Sequence, residues 1–271
     1  MKEPIGFAGA GRPAGVRLWL GLVTSAVVGS AAAAPPSFDQ VRAAHRTSDT
    51  VFVDRHGEPV QRLRTDLQAR RGDWLALAQF SPALRELVVR GEDQRFWTHA
   101  GVDASAALRS ALANVQQGGA LQGASTLTMQ LAALLDAGLG RPSGGRSLTQ
   151  KLAQAGAALQ IESGWRKAQI LEAYLNLVPL RGELVGVPAA AQALYGKHPS
   201  GLDRAESALL VALLRAPAAP AARVAARACA LLARPSGCES VAALAQRTLT
   251  ERAPAQRTMP ASDAATPERP G

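Results

Sequence analysis

Aromatic residues are scarce in this chain: five Phe, four Trp and two Tyr among 271 residues, or 4%. The hydrophobic fraction is nonetheless 47%, so alanine carries much of it, with leucine. Both favour helix and pack closely without large rings, which points to a mostly helical protein. Cysteine is nearly absent as well. Cys229 and Cys238 have no metal-ligand cluster around them. An oxidising compartment would permit a disulfide between them, and two unpaired small residues are the alternative. Acidic residues are outnumbered 21 to 30, leaving a formal charge of +9. That surplus reads either as compositional bias or as attraction to an anionic surface, whether phospholipid, pyrophosphate or nucleic acid. The chain has no zinc-finger spacing, no basic-region heptads and no aromatic-basic RNA motif, so nucleic acid is a poor candidate partner.

Long apolar runs are missing too, except at the N-terminus. Lys2, Arg12 and Arg17 precede an uncharged stretch from Leu18 to Ala34, followed by Pro35 and Pro36. This is the basic, apolar, small-residue order of a secretory signal, with Ala31 to Ala34 as a plausible cleavage point. The run also sits at the short limit for a membrane span. A cleaved signal peptide and an uncleaved anchor over residues 1–36 both stay open. Either one implies export: the inner membrane at its periplasmic face, or the periplasm itself after cleavage. A buried core helix is the third reading.

Residues 37–49 read as a polar linker. Thr50 to Asp54 and Pro59 to Leu63 resemble two short strands around the turn Arg55-His56-Gly57-Glu58, a β-hairpin at the start of the main domain. Helical patterning then takes over. Ser81-Pro82 gives an N-cap with Pro at the first helical position, and Leu84, Leu87 and Val88 share a face leading to Glu92. Asp103 can cap a helix that ends near Gly118, and Ser125 can cap another with Leu127, Leu131, Leu134 and Leu135 on one side. A helix over 147–163 stops at Gly164. Further helices are expected near 166–176, 186–195, 204–215 and 221–233. Residues 234–271 read as a C-terminal extension, rich in Pro, Ala, Ser, Thr and charge from about Glu251 and therefore disordered there. There is no internal repeat.

At Glu92 the sequence runs Glu-Asp-Gln-Arg-Phe-Trp-Thr-His-Ala-Gly-Val-Asp. About thirty residues later comes Gly123-Ala-Ser-Thr-Leu-Thr-Met-Gln130. The first resembles the opening motif of glycosyltransferase family 51, the peptidoglycan polymerases of class A penicillin-binding proteins. The second resembles that family's Gly-x-Ser-Thr-x-x-x-Gln motif, and its Thr-Met-Gln form is most similar to the class 1C type. Tyr174-Leu175-Asn176 through Gly182, Gly186 and Tyr195-Gly196-Lys197 resembles the fourth motif. Glu206 and the apolar run to Pro217 resemble the fifth. The resemblance spans residues 50–233, with the motifs in order and in register. It implies a mostly helical, lysozyme-like domain with a small jaw lobe near the membrane. Because the chain ends where a transpeptidase domain would begin, it also implies a monofunctional polymerase that penicillin does not acylate.

The reaction so implied joins lipid II units into a growing glycan strand at the inner membrane, beside other cell-wall synthesis proteins. An acceptor C4 hydroxyl attacks the anomeric carbon of the strand, and undecaprenyl pyrophosphate leaves. An alcohol needs a base at neutral pH, and a carboxylate in a partly desolvated cleft can serve. By resemblance that base is Glu92, with Asp93, Phe96 and His99 shaping its surroundings. Gly123, Ser125, Thr126 and Gln130 lie at a helix start suited to the donor's sugar-phosphate. Arg146 and Lys151 keep the five-residue offset of the family's third motif, and the resemblance implies that they bind the pyrophosphate. Gln154 and Asn176 complete the expected substrate-binding set. No cofactor is demanded, and a divalent cation, Mg or Mn, stays open.

Three positions, Ala133, Gln150 and Gln154, depart from the family pattern. The third motif, usually Arg-Lys-x-x-Glu, is here Gln150-Lys151-Leu-Ala-Gln154, so its carboxylate is an amide. Ala133 stands three residues after Gln130, where the family usually places Lys or Arg. Losing one charge-assisted contact would cost roughly 1.5–3 kcal/mol, about one to two decades in rate if it acts in the transition state. A Gly/Ala-rich stretch from Gly138 to Gly145 lies where the family has a mobile loop. These departures motivate a first alternative, a weak or inactive family member that binds lipid II or a cell-wall complex. A lysozyme-like lytic enzyme with the same glutamate is the second.

Overall fold

A computed structural model of the chain describes residues 34–109, 125–140, 148–233 and 237–250. Residues 1–33 of the expected signal or anchor, the helix end near Gly118, Gly123, Arg146, most of the Gly/Ala-rich stretch and the tail beyond 250 lie outside the described residues. Within them, no helix is long and apolar enough to cross a membrane.

The structure is mostly α-helical. Helix α1 (Phe38–Ala44) occupies the stretch expected to be a linker. Ser37 Oγ accepts from Gln40 N at 3.2 Å, and Gln40 Oε1 accepts from Ser37 N at 2.8 Å, a reciprocal cap that satisfies two end groups. Seven residues would not hold a helix alone in water. Phe38 anchors it, edge-on to Trp165 at 5.4 Å and to Trp74 at 6.0 Å.

Strands β1 (Asp49–Val53) and β2 (Pro59–Arg64) form the expected antiparallel hairpin, in register from Asp49 opposite Arg64 and with a bulge between Phe52 and Val53. A second, minimal sheet pairs β3 (Arg70–Arg71) in parallel with β4 (Leu184–Val185). The hairpin base is tied to this sheet by a bidentate ion pair. Arg64 donates to both oxygens of Glu183, at 2.9 and 2.8 Å.

Helix α2 (Pro82–Glu92) starts as its sequence predicts, with Ser81 Oγ accepting from Leu84 N at 3.1 Å. It buries Leu84, Leu87 and Val88. Residues 104–109 are helical behind Asp103, whose Oδ1 accepts from Ala106 N at 3.0 Å. Helix α3 (Leu127–Leu135) is capped by Thr126 rather than by Ser125. Helix α4 (Leu148–Gly164) is long and rests against α3.

Two helices form the centre. In α5 (Lys167–Leu177) every residue from Ile170 to Asn176 is buried, and in α7 (Arg204–Arg215) every residue from Glu206 to Leu213 is buried. Helices with an apolar surface all round belong inside a fold rather than on it. Helix α6 (Val187–Tyr195) starts from Gly186, at φ 81°, where a Cβ would fall on the Asn176 carbonyl. Only glycine combines that φ with that approach. Helix α7 carries its own capping box: Asp203 accepts from Glu206 N at 2.8 Å, and Glu206 Oε2 accepts from Asp203 N at 2.9 Å.

Helix α8 (Ala221–Leu232) packs on α7 and against the end of α2. The C-terminal extension is also not a plain tail. Cys238–Thr250 forms helix α9, which buries Val241, Ala245 and Leu249 on α8 and is joined to it by a disulfide between Cys229 and Cys238.

Candidate active site

The site is built at the C-terminal end of α2. Chain direction changes at Asp93 (φ −158°, ψ 80°), so Glu92 is the last helical residue. Gly91, beside it, lets two helices close in. A Cβ there would meet Val211 Cγ1 of α7 at 2.9 Å and Leu231 Cδ2 of α8 at 3.1 Å. The close approach sinks the Glu92 side chain to 7% exposure while its carboxylate keeps polar partners.

Those partners come from two other helices. Gln130 of α3 donates from Nε2 to Glu92 Oε2 at 3.2 Å. Arg215, the last residue of α7, brings Nε within 3.4 Å of Glu92 Oε1 and donates from its NH2 nitrogen to the Gly91 carbonyl at 3.1 Å. One guanidinium thus serves both the carboxylate and an end carbonyl of α2, where a cation is favoured. Behind Gln130, the buried Tyr174 hydroxyl of α5 donates to Gln130 Oε1 at 3.0 Å. Its phenol is held well above the ordinary pKa of 10, first by burial and then by the charge of Glu92. Sequence reading singled out neither Arg215 nor Tyr174 as a site residue. Each stands in a stretch matched to the family motifs, but nothing local says that it reaches Glu92.

Asp93 turns the other way. It is 7% exposed, and its Oδ2 accepts from Leu127 N, in the first turn of α3, at 3.0 Å. His99 Nε2 meets both Asp93 oxygens at 2.9 Å, while His99 Nδ1 accepts from Gly101 N at 3.1 Å. With Nδ1 accepting, Nε2 carries the hydrogen and donates. The pair therefore clamps the start of α3 to the end of α2, which sets Gln130 against Glu92. Phe96 is fully buried under this turn, with Lys167 Nζ 4.5 Å from its ring centroid.

The expected donor-binding residues divide. Gln130 sits beside Glu92, and Ser125 and Lys151 are half-buried. Thr126 is 3% exposed and its hydroxyl is already in use: it donates to Gly101 O at 2.6 Å and accepts from Met129 N at 3.1 Å. It is the α3 cap. Asn176 and Gln154, also expected in the substrate-binding set, are both buried. Asn176 is 2% exposed; its amide donates to Leu75 O and Glu172 O and accepts from Leu75 N, at 2.8, 2.9 and 3.0 Å. Both amide hydrogens are thus taken, and the side chain pins the 74–77 segment to α5. Gln154 is 1% exposed and donates to Leu139 O at 2.6 Å, while Gln150 donates to Gly140 O at 3.0 Å. Two amides thus fasten the 136–140 turn to α4, which gives a physical reason for an amide at the family's usual carboxylate. Residues matched to the fourth and fifth motifs also meet in the frame, where Lys197 donates to Glu206 Oε1 at 2.7 Å. Among the described residues, no three His, Cys, Asp or Glu side chains gather as a metal-binding group.

A transglycosylase family model matches residues 56–235, which takes in the hairpin turn, Glu92, Gln130, Tyr174 and Arg215. The chain belongs to the transglycosylase family. It is 44% identical over 130 residues to penicillin-binding protein 1A of Aquifex aeolicus (strain VF5), covering 48% of this chain and 17% of that protein. It is 36% identical over 170 residues to penicillin-binding protein 1C of Escherichia coli (strain K12), covering 62% of this chain and 21% of that protein. A biosynthetic peptidoglycan transglycosylase of Shigella boydii serotype 4 (strain Sb227) is 37% identical over 148 residues, covering 54% of this chain and 58% of that protein. The chain therefore spans well under two thirds of the length of the curated relatives it matches. In this family member Gln130, from the stretch that resembles the second motif, meets Glu92, from the stretch that resembles the first.

Proposed function

We propose that this chain is a peptidoglycan glycosyltransferase that polymerises lipid II at the periplasmic face of the inner membrane, with Glu92 as its base. The observation that carries the reading is the placement of Glu92: a carboxylate with 7% exposure, at a helix end, held by Gln130 and Arg215. A carboxylate so held stays oriented, placed to accept a proton. In the reaction, the acceptor's C4 oxygen bonds to the anomeric carbon of the strand as the bond from that carbon to the pyrophosphate oxygen breaks. The hydroxyl proton passes to Glu92, and the electron pair leaves with undecaprenyl pyrophosphate. Lys151 and Arg146 are the cations assigned to that leaving charge. A divalent cation, Mg or Mn, carried on the pyrophosphate oxygens would add to the neutralisation. Membership of the transglycosylase family and the name of the Shigella relative support the reaction class.

The test is Glu92→Gln, which keeps the shape and most of the hydrogen bonding but cannot take a proton. Polymer from lipid II should vanish while lipid II binding and the thermal midpoint persist. Polymer at the wild-type rate from this variant would remove Glu92 from the role.

A second reading, a member that binds lipid II without turning it over, has one specific observation in its favour. Ala133 shares the Gln130 face of α3 at i+3 and brings no charge to it. Under that reading the wild-type chain binds lipid II and yields no polymer.

A further inference from the structure

We infer that Tyr174 is a positioning residue for the base: its hydroxyl fixes which end of the Gln130 amide faces Glu92, so that Glu92 always meets a donor. The inference rests on Glu92 acting as proposed above.

The argument is one of hydrogen-bond accounting. An ionised carboxylate can only accept. Gln130 can therefore help Glu92 only by presenting its NH2 group, and the structure has Nε2 at 3.2 Å from Glu92 Oε2. That orientation turns the amide oxygen towards the interior, where it would be stranded without a donor. Tyr174 is 0% exposed and supplies that donor, its hydroxyl donating to Gln130 Oε1 at 3.0 Å. A phenol both donates and accepts. As a donor here it selects one of the two amide orientations and makes the other unfavourable, since the flipped amide would set its oxygen against the carboxylate. The groups facing Glu92 are Arg215 from α7, Tyr174 from α5 and the neutral Gln130 from α3. Burial and the Glu92 charge both hold the Tyr174 phenol above its ordinary range. It thus remains a donor across any practical assay pH.

Tyr174→Phe removes the oxygen and leaves the buried ring in place. Gln130 is then free to flip, the carboxylate loses a donor, and its proton affinity rises. The experiment uses the full chain with fluorescent lipid II and follows initial rates across pH for wild type, Tyr174→Phe, Gln130→Ala, the double variant and Glu92→Gln. The expected result is a fall in kcat of about tenfold for Tyr174→Phe, with KM unchanged. The acid limb of the kcat profile moves to higher pH, so the loss is greater on the acid side than at neutral pH. In the Gln130→Ala background, Tyr174→Phe should have no further effect, because the amide it orients is gone. An equal loss at every pH, an additive effect in the double variant, or wild-type behaviour of Tyr174→Phe would overturn the inference. If Tyr174→Phe fails to fold, Gln130→Ala alone must show the acid-limb shift, and its absence is equally fatal. Glu92→Gln separates the two levels. If it is inactive while Tyr174→Phe behaves as wild type, only the inference falls; if it polymerises normally, the base assignment falls and takes the inference with it.

Discussion

Glu92 draws its chemistry from residues far away in sequence. Gln130 lies 38 residues on, Tyr174 a further 44, and Arg215 124 from Gly91. Ala133 is where this arrangement is thinnest, because the family's usual cation is missing from the Gln130 face of α3. Ala133→Lys should therefore raise the polymerisation rate, by up to about tenfold if the added charge reaches the leaving pyrophosphate. Initial rates with lipid II measure this, and an unchanged or lower rate would show that other groups already supply the charge. The residue scale also shows what sequence can deliver. Glu92, Asp93, His99 and Gln130 were legible because contiguous motifs carry them, and the structure brings all four together around one turn. Asn176 and Gln154 stand in matched stretches too, yet their side chains are spent on backbone groups. A motif marks a position without telling a wall from a foundation. Arg215 and Tyr174 were illegible as site residues because their contacts with Glu92 and Gln130 exist only after α5 and α7 pack.

At the scale of elements, strong local signals held. The Ser81-Pro82 start of α2, the hairpin around Arg55 to Glu58 and the helices from 147 to 233 all appear within a residue or two of expectation. Two helices escaped. Helix α1 has only Phe38 and Val41 as apolar anchors, and two tryptophans from distant segments decide its fate. Helix α9 has a sparse repeat of Val241, Ala245 and Leu249, too weak to read without the surface of α8 beneath it. The disulfide makes that surface durable. Closing a loop of this length should contribute about 2–3 kcal/mol, so replacing Cys229 and Cys238 with Ser, or reducing the bond, should lower the unfolding midpoint. Equal melts of oxidised and reduced protein would show that α9 holds by packing alone. The hairpin should instead be sensitive to acid. Its base rests on Glu183, whose pKa is lowered first by the hydrogen bonds from Arg64 and then by the Arg64 and Arg70 charges. A carboxyl lowered in the folded state adds stability above its ordinary value of 4.5, and that stability fades as pH falls through the lower folded value. Hydrogen exchange should accordingly show 49–64 opening below about pH 4.5 before the α5–α7 core does. Simultaneous opening of both would contradict it.

At the scale of the whole molecule, an alanine-rich, aromatic-poor composition gives helices that approach closely, and one such close approach, at Gly91, is beside the candidate base. The positive net charge of +9 suits a protein that works against phosphate-bearing lipid. The measurement that tests the account most directly is incubation of the detergent-solubilised chain with fluorescent lipid II, with product length read on a gel and moenomycin as the inhibitor control. A ladder that grows with time and disappears with moenomycin is the predicted result. Bound lipid II without any ladder would contradict the polymerase and leave a member of the family that recognises its substrate without joining it.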